Sequence, residues 1–111
     1  MVSVKDLRIV YCNCFSSNKA LEIGRVLVDK KVAACINVIK GDMSVYQWNK
    51  NIEEDKESTL VIKTHISKLN EMEKIILEIH NYDTPEIIST EIKEINESYY
   101  KWMLEVMEIQ E

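Results

Sequence analysis

VAACINVIKGDMSVYQWNKNIEEDKESTLVIKT, residues 32–64, reads as two long β-strands joined by a short turn. Its first part, VAACINVI (32–39), is apolar and rich in β-branched residues, the signature of a strand. Gly41–Asp42 interrupts the run as a bulge or bend rather than an end, because the strand pattern resumes at Ser44–Trp48. Asn49-Lys50-Asn51 reads as a turn, since asparagine tolerates the left-handed conformation. Residues 52–64 return as a second strand, polar at first (EEDKES) and then apolar (TLVIKT). Each arm is then roughly 15 residues, near 50 Å at about 3.3 Å per residue. Typical strands have about 5–6 residues. A small domain cannot cover arms of that length. Near the tip, Tyr46 and Trp48 point to one side with Val45 beside them. Val45, Tyr46 and Trp48 are therefore expected to bury against another subunit; the plainer reading is an isolated surface tryptophan on a monomer.

The flanking sequence supplies the rest of the sheet. Residues 7–15, LRIVYCNCF, form a short and mostly apolar run, as in a central strand. Ser16, Ser17 and Asn18 are each suitable helix N-caps. From Lys19 to Lys31, Ala20, Ile23 and Leu27 recur at helical spacing, with Lys30 and Lys31 placed for the last turn. Ser67 is the expected cap of a second helix, 68–80, with Leu69, Met72, Ile76 and Ile79 as its buried stripe and Pro85 just beyond its end. Residues 86–92 read as a fourth strand. Asn96 opens a last helix on which Tyr99, Trp102 or Met103, and Val106 share a face. The order is β-α-β-β-α-β with an additional C-terminal helix. Two right-handed crossovers then give an α+β, ferredoxin-like fold, an antiparallel sheet with both helices on one face and a long second hairpin. Strand 7–15 is apolar on both sides, so the other face of the sheet needs cover as well.

A chain of 111 residues is one domain, 1–111. With 46% hydrophobic and 30% charged residues it reads as globular, not disordered. A net charge of −5 argues against nucleic acid or an anionic membrane as the main partner. No apolar run approaches a membrane span, and the N-terminal MVSVKDLRIV lacks the apolar region of a signal peptide. Three cysteines, Cys12, Cys14 and Cys35, are an odd number without framework spacing. The expectation is a cytoplasmic protein with reduced thiols. They cannot hold an iron–sulfur cluster in one chain. There is no H-E-x-x-H, P-loop or G-x-S-x-G, and no nucleophile–base pair is visible, so the chain is expected not to be an enzyme.

Cys12 and Cys14, two residues apart on a strand, leave the same face. Thiolates are natural ligands for monovalent copper, but free cysteines are also ordinary core residues, and that reading has the greater weight here. Cys35 reads as core. Glu53, Glu54, Asp55 and Glu57 form an acidic run that is either a loose divalent-cation surface or, more commonly, a solvated face. Lys63 lies within an apolar strand and calls for a partner: an interface ion pair or an anion in a cleft. Tyr82 and Trp102 are candidates for the same inter-subunit cleft. His65 reads as a surface residue at a helix start. His80 ends a helix near Tyr82 and Glu86, where a cationic imidazole would suit the helix dipole.

Six segments together resemble the CutA divalent-ion tolerance family. They are KKVAACINVI (30–39), SVYQW (44–48), NIEEDKE (51–57), LVIKT (60–64), IHNYDTPEII (79–88) and NESYYKWM (96–103), in family order and over nearly the whole chain. The resemblance implies a ferredoxin-like homotrimer, similar in architecture to the PII signalling proteins, with long hairpins pairing across subunits. It implies a role in tolerance of copper and other divalent ions. It also implies a copper set of Cys12, His80 and Glu86, with copper an optional ligand and no cofactor required. The alternative is a PII-like signalling trimer that binds a small ligand or a protein between subunits. Two positions depart from the family pattern. The hairpin turn after Trp48 lacks the usual glycine, and the usual His-Pro-Tyr is His80-Asn81-Tyr82.

Overall fold

The computed structural model describes residues 1–110. Its elements in chain order are β1 (Val2–Ser3), β2 (Leu7–Cys14), α1 (Ser17–Asp29), β3 (Cys35–Trp48), β4 (Asn51–His65), α2 (Leu69–Ile79), β5 (Ile88–Glu91), β6 (Glu94–Ile95) and α3 (Glu97–Val106). A 3-10 turn, Ile66–Lys68, leads into α2. The main sheet has four strands in the order β3-β4-β2-β5, and every pairing is antiparallel. This is the ferredoxin-like arrangement expected from the element order. β1 and β6 form a separate two-stranded ribbon, which the sequence reading lacked because two residues carry no periodicity.

The decisive hairpin is present. β3 and β4 contain 14 and 15 residues and pair from Cys35–Lys63 out to Trp48–Asn51. The register shifts between Ile39 and Asp42, and Gly41 there has φ +74°. A side chain is rarely accommodated at that angle, which is why the strand bulges at its glycine. At the tip, Asn49 and Lys50 both have positive φ, 50° and 66°. The paired left-handed residues match the right-handed twist of the two strands. The hairpin makes the chain elongated, 47 × 25 × 22 Å.

One face of the sheet packs on the helices. Val10, Cys12 and Cys14 of β2 and Leu60 and Ile62 of β4 meet Ala20, Ile23 and Leu27 of α1 and Met72, Ile75 and Ile76 of α2. Ser16 caps α1, its side chain accepting from the Lys19 amide. At α2 the expected serine cap is not the one used: the His65 imidazole accepts from the Ser67 amide and starts the 3-10 turn. His65 is buried rather than at the surface, with Asp6 3.3 Å from its Nε2. A second cluster, Leu7, Ala34, Ile95, Met103 and Met107, closes one end of the sheet under α3. Met103, not Trp102, is the buried member of the α3 face. On the face away from the helices, Ile9, Tyr11 and Val61 are only half-buried and Ile39 is exposed.

Candidate functional site

β2 sends alternate side chains to the helix side, which places both Cys12 and Cys14 in the core with no solvent exposure. α2 ends at Ile79, and the next residue turns extended, which carries the His80 ring back over β2. His80 is buried at 9% exposure. Its Nε2 donates to the Asn13 carbonyl at 2.7 Å, and its Nδ1 accepts from the Tyr82 amide at 3.1 Å. That pattern defines the Nε2–H tautomer. The ring therefore bonds to β2 and to the loop rather than to the carbonyls at the helix end. The Sγ atoms of Cys12 and Cys14 and a ring nitrogen of His80 lie within 4.8 Å of one another. Among the described residues this is the group of three or more such donors that a metal ion fits.

The two thiols are electrostatically linked. A hydrogen bond with Cys14, followed by burial, holds the Cys12 thiol far above its ordinary range. The same hydrogen bond draws Cys14 down, against burial.

Glu86 is not in the three-donor group. It lines a groove of about 550 Å³ along the outer part of the hairpin together with Asn13, Tyr46, Trp48, Glu57 and Tyr82. Tyr82 links groove and thiols: its ring packs on His80 with centroids 4.7 Å apart, and its hydroxyl donates to Glu57 Oε2 at 2.6 Å. Burial and that hydrogen bond raise the Tyr82 phenol. Partial burial and then the charge of Glu57 raise the Glu86 carboxyl. Tyr46 donates to Asp55, which pushes its phenol up to about 12.

The structure thus brings Cys12 and His80 together, adds Cys14, and leaves Glu86 on the groove wall. Tyr82 lines the groove, whereas Lys63 and Trp102 do not. Lys63 sits on the open sheet face, donating to Asn37 with Cys35 Sγ 4.0 Å away. Trp102 packs on Tyr99 with ring centroids 5.2 Å apart. Cys35 is half-buried rather than core. Of the acidic run, Glu53, Glu54 and Asp55 are exposed, but Glu57 is buried at 7% exposure. Glu57 pairs with Asp42, immediately after the bulge, and no local pattern in the sequence marks it as the buried member of the run.

Comparison with known proteins places this arrangement. Residues 8–106 match the model of the CutA1 divalent ion tolerance protein family. The protein CutA homolog of Xenopus laevis is 38% identical over 102 residues, covering 92% of this chain and 68% of that protein. Protein CutA of Mus musculus is 34% identical over 98 residues, and there the match spans 88% of this chain but 55% of the relative. The crystal structure of CutA1 from Oryza sativa superposes with a TM-score of 0.89 at 31% identity, covering 94% of each chain. Strand order, the long bulged hairpin and the match over most of its length lead to one conclusion: the chain belongs to the CutA1 divalent ion tolerance family.

Proposed function

We propose that the protein acts in tolerance of divalent metal ions as a non-enzymatic, cytoplasmic homotrimer that binds copper weakly at a site containing Cys12 and His80, with no cofactor required. The observation that carries this reading is the buried thiol of Cys12 beside the His80 imidazole, both within one group of donors 4.8 Å across. Sulfur and imidazole are copper donors. Weak binding follows from what an ion must displace. Both His80 nitrogens are already hydrogen-bonded, and both thiols are buried in the core. Trimer formation is supported by the exposed apolar hairpin: Val45, Tyr46 and Trp48 are 68%, 41% and 47% exposed in the single chain. No helix among the described residues is long and apolar enough to cross a membrane. Free thiols suit a reducing compartment.

Copper titration of the reduced protein tests the site. Cys12→Ser and His80→Ala are each expected to lower copper uptake, and uptake unchanged in both removes the site.

A second reading, a PII-like signalling trimer, is favoured by the groove of about 550 Å³ under Tyr46, Trp48 and Tyr82. That volume is in the range of small-molecule sites. It predicts a rise in melting temperature with a specific metabolite, and a broad screen without one counts against it.

A further inference from the structure

We propose that Cys14 completes, with Cys12 and His80, a buried two-sulfur, one-nitrogen site selective for a thiophilic monovalent cation of the cuprous class. The inference rests on the metal-tolerance reading but names a different donor set and oxidation state. Cys14 and Cys12 present both sulfurs on one face of β2, and neither is exposed. With bond lengths like those of zinc, about 2.3 Å to sulfur and about 2.0 Å to nitrogen, donors around one ion sit roughly 3.5–4.5 Å apart. A group 4.8 Å across therefore closes on an ion with small side-chain shifts. The chemistry of the set narrows the choice: thiolate and imidazole donors take monovalent copper or zinc, and three donors without a fourth side chain in the group favour the ion of lower coordination number. Two thiolates and an imidazole suit a soft ion of low coordination number, whereas divalent copper prefers a four-donor tetragonal set of nitrogen and oxygen. The carboxylate of Glu86, a hard donor, lies outside the group. Binding is proton exchange without redox: each sulfur bonds the ion as its thiol proton leaves to solvent.

The geometry also gives the site an output. Nδ1 of His80 accepts from the Tyr82 amide, and Nε2 carries the proton given to Asn13. An ion on Nδ1 takes the acceptor directly. An ion on Nε2 forces the proton to Nδ1, which then faces the amide proton. Tyr82 loses its acceptor in both cases, so loading is felt at the Tyr82–Glu57 hydrogen bond in the groove.

The test uses the full chain, reduced and anaerobic, with Cys35→Ser to silence the third thiol. Silver(I) and chelator-buffered copper(I) are the probes, with copper(II) alongside. Stoichiometry is read by native mass spectrometry, bonding by thiolate-to-metal ultraviolet absorption, and coupling by the Tyr82 amide resonance. One monovalent ion per chain is expected, with a shifted Tyr82 resonance. Cys14→Ala and the conservative Cys14→Ser are expected to lose at least about tenfold in affinity, and Glu86→Gln none. Melting curves confirm that each variant is folded. Wild-type affinity in both Cys14 variants with loss in Glu86→Gln overturns the inference and leaves the Cys12, His80 and Glu86 reading. Uptake of copper(II) alone does the same, and uptake of neither oxidation state removes both.

Discussion

Tyr82 carries more of the site than its side chain alone suggests. Its amide holds the His80 tautomer and its hydroxyl is the hydrogen-bond partner of the buried Glu57. Tyr82→Phe keeps the ring packing and removes one donor to a buried carboxylate. The expected cost is about 1.5–3 kcal/mol, the range for hydrogen bonds to charged groups, measured by urea unfolding. Glu86 gives a pH signature. Its folded carboxyl is raised by partial burial and by Glu57, so the folded state holds its proton more firmly than the unfolded chain. Its contribution is complete below the ordinary carboxylate range and is lost as pH rises through the raised value. Glu86→Gln should therefore melt higher than wild type near neutrality, with the two curves converging under acid. At this scale the sequence was partly legible. Two cysteines at strand spacing had to share a face, and they do. That His80 would turn away from its own helix end toward Asn13 depends on a contact 67 residues apart, which no local pattern encodes.

The β3–β4 hairpin is the element on which the fold turns, and it was the most legible. Its alternating and β-branched stretches, the glycine interruption and the asparagine-rich turn each announce a backbone requirement, and each is met. The short β1–β6 ribbon and the His65 cap were not legible. The first is too brief for periodicity, and the second uses a residue type outside the usual capping set. Lys50 occupies a left-handed position at φ 66°, where a Cβ costs roughly 1–2 kcal/mol. Lys50→Gly is expected to stabilise the protein by about 1 kcal/mol, less the entropy glycine adds to the unfolded chain. A midpoint shift in urea measures it. Leu60, fully buried and paired with Cys12 across β2 and β4, tests the core beside the thiols. Leu60→Ala should cost about 2–5 kcal/mol, read in the same way.

At the scale of the molecule, a chain 47 Å long presents a half-apolar sheet face and an aromatic hairpin to solvent. Such surface is commonly an interface. Association of three chains would cover both with one contact type. Trp48→Glu places a charge in that contact, and light scattering should then report a mass below three times the 13.0 kDa of the chain. Native mass spectrometry of the reduced protein, with and without a small excess of copper, reads assembly and metal uptake in one sample pair. A trimer is expected in both, with about one copper per chain in the second. A trimer that stays metal-free would contradict the metal site and move the function to the groove, and a monomer in both would contradict the assembly on which either reading depends.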